Sequence, residues 1–294
     1  MNVELERLRE DINSSLADYL PNRSQIAQPI VDAMRHTVLG GGKRIRPMLV
    51  LGAAAAVGSD AHRALPIGCA IEFIHAYSLI HDDLPAMDDD DLRHGLPSAH
   101  IAFGEANAIL AGDSLHSLAF QTITDAEAYD PATRLKMLQV LAEAAGWTGM
   151  AGGQCLDIQA EGKTLTLDEI KMMHSAKTGA LITAAVNLGA LCAAPGQCHP
   201  EQYALLTTYG ERIGLAFQVM DDVLDVTSST SELGKPAGSD AALEKNTFPK
   251  LMGVDEAKSL AFELVDEATS ALARTRLPCD LLNQLARLVV ERKH

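Results

Sequence analysis

The sequence predicts an all-α protein, and three observations carry that expectation. Ala and Leu dominate the apolar residues, while aromatics make up only 4% of the 294 residues. Aliphatic side chains unbranched at Cβ favour helices, whereas sheets draw on β-branched and aromatic ones. Apolar residues recur at helical spacing without convincing strand alternation. Short Gly/Pro punctuation separates long helical stretches, and no stretch reads as a linker between independent domains. A single domain over 1–294 is expected.

Helices are expected at 2–19, about 26–39, 47–58, 63–84, 101–123, 132–149, 167–174, 177–192, 200–226, 255–273 and 279–292. The first opens on the charged MNVELERLREDINSS, which is no secretory leader. Glycines 40–42 end the second. The fourth, through IGCAIEFIHAYSLIH, reads as a buried helix running into aspartates, and Pro85 should disturb it one turn later. Lys177 and Thr178 open the apolar helix of HSAKTGALI. The longest break, Thr227–Pro249, is rich in Ser, Gly, Pro and Lys, as lids and disordered segments are.

Charge and cysteine content narrow the function. A formal net charge of −15 makes an extended nucleic-acid surface a poor fit. Five cysteines without a CxxC pair argue against a disulfide framework and a zinc site. The most apolar stretch, Gly179–Pro195, falls short of the ~20 residues that a membrane span needs. A soluble, cytoplasmic protein is expected.

Two acidic motifs end apolar helices 139 residues apart, at Asp82–Asp83 and Asp221–Asp222. Six residues apart on a regular helix, Asp82 and Asp88 would point about 120° away from each other. The break at Pro85 lets Asp88 swing back. Asp221 and Asp225 sit one turn apart on one helix face. Carboxylates gathered at the ends of buried helices need a compensating cation. Oxygen-only donors suit Mg²⁺, which commonly bridges protein carboxylates to substrate phosphates. The run Asp89–Asp91, taken alone, reads as a solvated acidic stretch.

Basic residues complete the pattern. GGGKRIRP places Lys43 and Arg46 three apart at a helix start, where their charge conflicts with the helix dipole unless an anion binds. His75 lies seven residues before Asp82, on nearly the same face. Arg93, Lys177, Lys235 and Lys245 add dispersed cations. The arrangement describes two phosphorylated substrates, one bound through metals and one directly.

These residues together resemble the trans-isoprenyl diphosphate synthases, and bacterial-type farnesyl diphosphate synthases in particular. The resemblance runs nearly end to end through GGGKRIRP, DDLPAMD, GMAGGQCLD, AKTG, FQVMDDVLD and GKPAGSD with Lys245 and Thr247. It implies a single polyprenyl synthase domain, a bundle of mostly antiparallel helices around a deep central cavity, and a homodimer. It implies condensation of isopentenyl diphosphate with dimethylallyl or geranyl diphosphate, using Mg²⁺ (about three ions with the diphosphate). It makes Asp82, Asp88 and Asp221 the principal metal ligands, supported by Asp83 and Asp225, with Asp222 in the same catalytic motif. Arg93, Lys177, Lys235 and Lys245 would contact the allylic diphosphate, and Lys43, Arg46 and His75 the isopentenyl diphosphate. Thr178 and Gln218 would neighbour the reacting carbons. Tyr77 and Ser78, one turn below Asp82, would set product length, with Tyr77 as the stopper. Its position about 140° around the helix from Asp82 leaves this open.

One position departs from the family pattern. Where a second arginine is usual, His94 stands, a shorter side chain only partly protonated near neutral pH. Competing expectations are a geranylgeranyl diphosphate synthase, a class I terpene cyclase, and a non-catalytic partner subunit. The cyclase has no use for Lys43 and Arg46, and the partner subunit should have lost an aspartate motif.

Overall fold

The computed structural model describes residues 3–227 and 246–291. The fold is all-α. In chain order the helices are α1 (Val3–Tyr19), α2 (Gln28–Leu39), α3 (Ile45–Ala56), α4 (Ala61–Asp82), α5 (Ala99–Phe103), α6 (Glu105–Thr124), α7 (Pro131–Ala145) and α8 (Met150–Ala160). They continue with α9 (Leu167–His174), α10 (Ala180–Ala190), α11 (Pro200–Thr227), α12 (Phe248–Met252), α13 (Val254–Thr275) and α14 (Asp280–Glu291). A wide π-turn, Ser175–Gly179, joins α9 to α10. Among the described residues the strands are two short ones, β1 (Leu92–Arg93) and β2 (Leu96–Pro97), paired antiparallel as a hairpin.

The chain forms two compact units. Met1–Leu51 with Ala61–Leu138 make the first, and Gly52–Asp60 with Gln139–His294 the second. In the first, α4 packs on α6, α1 and α2. Its side chains are buried all round, including Ile67, Ile71, Phe73, Ile74 and Ile80, which is the pattern of a core helix. It is also the one helix among the described residues long and apolar enough to cross a membrane, yet most of that stretch is buried inside the protein. In the second unit α11 packs on α13 and α10. The buried Tyr209 hydroxyl of α11 donates to the Leu282 carbonyl at 2.8 Å, tying α14 to the same core.

A charge sits inside the first unit. Arg44, 6% exposed, donates to Glu72 of α4 at 2.8 Å, to the Asn13 side chain at 2.7 Å and to the Val38 carbonyl at 2.6 Å. Its φ of 56° is left-handed, so the chain turns sharply inward before α3 begins. Gly42, with φ 114°, precedes this turn, and a Cβ there would come within 3.1 Å of the Arg44 guanidinium.

The structure departs from the expected boundaries where glycine was misread. The helix expected at 101–123 is two, α5 and α6, broken at Gly104 with φ 82°. The GMAGG stretch, read as the end of a helix at 149, opens a separate helix, α8. Of the two basic residues expected at a helix start, Arg46 lies in the first turn of α3, which begins at Ile45, and Lys43 precedes the helix.

Removing one partner of a buried ion pair strands the other, at a cost of about 3–5 kcal/mol. Arg44→Met is expected to lower the unfolding free energy by that amount in urea titration. A change below about 1 kcal/mol would mean that the pair contributes little.

Candidate active site

The candidate residues fall into two groups, one in each unit. In the first unit α4 delivers the aspartate motif. Beyond Asp82 the chain folds back, and the Asp88 amide donates to the Asp82 carbonyl at 2.9 Å. The left-handed Asp89 (φ 52°) continues the turn. The expected return of Asp88 to the helix end is therefore present in the backbone. Asp83 faces inward, 2% exposed, and is held by Arg93, whose Nε lies 3.0 Å from Asp83 Oδ1 and whose Nη2 bonds the same oxygen. Burial raises the Asp83 pKa and the Arg93 bond opposes the rise. Arg93 also reaches Asp90 at 3.2 Å. In this state both residues brace the motif.

A basic cluster surrounds the glycine turn. His94 occupies the left-handed first position of the β1–β2 turn (φ 52°), and a Cβ on Gly41 would lie 3.4 Å from the His94 Cβ. Loss of hydration, then the charges of Arg93, Arg44 and Lys43, lower the His94 pKa, although the residue remains surface-lying. His75 is held well below its ordinary value, first by burial and then by Arg46, His94, Arg93 and Arg44. Thus Lys43, Arg46, His75, Arg93 and His94, scattered over 52 residues of sequence, share one positive field. An anion is what such a field attracts.

Tyr77 points from α4 toward α6. Its ring meets His81 and His116 edge-on, at centroid distances of 5.0 and 5.3 Å, and His116 in turn lies 5.1 Å from Phe120. The Ser78 hydroxyl bonds back to the His75 carbonyl at 2.8 Å.

In the second unit the π-turn carries Lys177 and Thr178. Turns of this kind inside helices are frequent at functional sites. Lys177 Nζ donates to Asp157 of α8 at 2.5 Å. The two elements approach so closely that a Cβ on Gly153 would lie 2.1 Å from the Lys177 amide nitrogen, so only glycine fits. Thr178 Oγ1 donates to Gln218 Oε1 at 3.0 Å, and Gln218 Nε2 to Asp222 Oδ1 at 2.9 Å. Asp221 is exposed, while Asp222 and Asp225 are buried. Lys235 and Lys245 lie outside the described residues.

Sequence reasoning missed three residues of these groups. Arg44 was passed over between Lys43 and Arg46, Asp157 was not linked to Lys177, and Gln154 was not singled out. Gln154 lies on α8 three residues before Asp157, 8% exposed, with neither side-chain polar atom hydrogen-bonded. A buried amide left that way costs about 1–3 kcal/mol. The GGQCLD string held the only signal for both α8 residues.

The donors fit divalent cations in kind, being hard carboxylate oxygens. Among the described residues no three His, Cys, Asp or Glu side chains come close enough to hold a metal unaided. An ion here would draw further oxygens from a phosphorylated ligand.

Comparison with known proteins agrees with this chemistry. The family model described as Polyprenyl synthetase matches residues 27–275. Farnesyl diphosphate synthase of Escherichia coli is 46% identical over 294 residues, covering 98% of each chain. Geranylgeranyl pyrophosphate synthetase of Pyrococcus horikoshii superposes with a TM-score of 0.88 at 33% identity, over 98% of this chain and 97% of the other. A geranyltransferase of Helicobacter pylori, solved with magnesium and isoprenyl diphosphate, superposes at 0.86 with 31% identity, over 97% and 95%. With a family model matched over residues 27–275 and a relative 46% identical over nearly the whole of both chains, the chain belongs to the polyprenyl synthetase family of prenyltransferases.

Proposed function

We propose that the chain is one synthase domain that condenses isopentenyl diphosphate with dimethylallyl or geranyl diphosphate to give (2E,6E)-farnesyl diphosphate. The carrying observation is the 46% identity over 98% of both chains to a farnesyl diphosphate synthase. The bound Mg²⁺ would be held by Asp82, Asp88 and Asp221, with Asp225 in support, and supplies neutralisation of the charge that develops on departing diphosphate. Lys177 binds the allylic diphosphate, as does Arg93 when its pairing with Asp83 allows, and Lys235 and Lys245 join them. Lys43, Arg46, His75 and His94 bind isopentenyl diphosphate. Thr178 and Gln218 aim dipoles at the allylic carbocation, and an apolar surround keeps water from quenching it. No protein nucleophile takes part.

Assembly and location follow the same reading. The mutually packed α5 and α6 expose Ile101, Ile109 and Leu110, which supports a homodimer. Diphosphate substrates dissolved in water and the burial of α4 support a cytoplasmic enzyme.

Product length turns on Tyr77. Its ring, braced by His81 and His116, supports the role of stopper over Ser78. Purified protein with geranyl and isopentenyl diphosphates and Mg²⁺ is expected to give a C15 product and none with EDTA. Tyr77→Ala should shift the distribution to C20 and longer on product chromatography. C20 from the unaltered chain would select the geranylgeranyl reading, and no product at all would defeat the proposal.

His94 should make isopentenyl diphosphate binding pH-dependent. In the ligand-free protein its pKa lies below the ordinary value, through loss of hydration and the charges of Arg93, Arg44 and Lys43, and His75 faces the same field. A bound diphosphate raises that pKa, so binding takes up a proton and tightens as pH falls. The KM for isopentenyl diphosphate is expected to drop between about pH 8 and 6, at most about tenfold per pH unit. His94→Arg should show a lower and flatter KM. The same slope in both proteins would remove His94 from the site.

A further inference from the structure

Asp222 accepts two hydrogen bonds from different parts of the second unit. Oδ1 takes the Gln218 side-chain amide at 2.9 Å, one turn earlier on α11. Oδ2 takes the Phe248 backbone amide at 3.0 Å, where α12 begins. His174 Nε2 lies 3.9 Å from Oδ2, its ring 5.6 Å from that of Phe248. Asp222 is 3% exposed. The sequence grouped it with the catalytic aspartates, but its carboxylate oxygens are turned into the protein.

Both carboxyl oxygens of Asp222 act as acceptors, each facing an N–H donor. The amide nitrogen of Gln218 must therefore face Asp222, which fixes Gln218 Oε1 toward Thr178. That oxygen also only accepts, so the Thr178 hydroxyl gives it its single proton across 3.0 Å. With the proton committed, the lone pairs of Thr178 Oγ1 point elsewhere. Were Gln218 reversed, its amide would donate to Thr178, and the hydroxyl proton would be the group presented outward. The direction of the whole chain is thus decided at its buried end.

We propose that Asp222 is a positioning residue that sets the hydrogen-bond polarity running through Gln218 to Thr178, so that Thr178 meets the allylic cation with oxygen lone pairs and not with a proton. The proposal rests on the prenyltransferase reading above. It separates the two adjacent aspartates: Asp221 lies at the surface for metal and diphosphate, while Asp222 orients the group that faces the carbon skeleton. Fixed dipoles aimed at a developing charge are worth about 10²–10³ in rate when removed at other sites. A reversed hydroxyl should forfeit much of that.

Asp222→Asn keeps the size but offers one acceptor where two donors converge. In the full-length protein with Mg²⁺ it should lower kcat for prenyl transfer about 10–100-fold. The KM for isopentenyl diphosphate and the Mg²⁺ concentration for half-maximal rate should stay within about twofold, since neither ligand touches the relay in this scheme. Thr178→Val should lower kcat similarly, and adding Asp222→Asn to it should cost less than about twofold more. Gln218→Met breaks the relay at its middle and leaves Asp222 ionisable and still bonded to the Phe248 amide, although it takes the Gln218 donor from Asp222 Oδ1. It should give the same pattern and decides the matter if Asp222→Asn fails to fold. Additive losses in the double variant would overturn the proposal, as would a raised Mg²⁺ requirement, which would make Asp222 a metal ligand. An unaltered protein with no prenyl transfer would instead defeat the functional reading.

Discussion

Arg44 is almost entirely withdrawn from water, and a guanidinium so placed must have its donors met. Glu72, Asn13 and the Val38 carbonyl meet them. The glycine turn ahead of it and the start of α3 depend on that anchoring, and so do the positions of Lys43 and Arg46 on either side. The same device recurs elsewhere. Arg93 is given to Asp83, and Lys177 to Asp157. In each functional motif one charge is tied internally, and that tie fixes the backbone that carries its neighbours. The ties differ in depth. The Arg44–Glu72 pair is fully buried, whereas Lys177 and Arg93 keep about a quarter of their side-chain surface in solvent. The first is shut off from solvent, and the other two remain within its reach.

Much of this was legible in the sequence because local spacing carries it. The all-α class came from Ala and Leu at helical spacing. Asp88 swinging back to Asp82 came from Pro85, since a proline one turn beyond a helix end must redirect the chain. Asp221 and Asp225 on one helix face needed only the repeat of about 3.6 residues.

The remainder depended on tertiary neighbours. Nothing in KRIR says that the middle charge turns inward, because only the position of Glu72 on a buried helix decides it. The expected helix stops at Gly149, yet α8 opens just after it and passes through Gly152 and Gly153, and Gly153 is there because Lys177 leaves no room for a Cβ. Asp222 looked like its neighbour Asp221 until Phe248, 26 residues onward, supplied a backbone donor for it. Lys235 and Lys245 fall outside the described residues, and their roles rest on resemblance alone.

The π-turn between α9 and α10 has one more implication. It adds a residue to a helix that would otherwise run straight through, and so rotates α10 relative to α9 by about 100°. Lys177 can then reach α8 while Thr178 reaches α11. Exchanging one side chain there alters a single contact. Deleting one residue would restore the regular spiral and rotate every later position of α10 against α11, where Gly210 now packs on Thr183 and Gly214 on Gly179. The segment should therefore tolerate new letters far better than a change in their number.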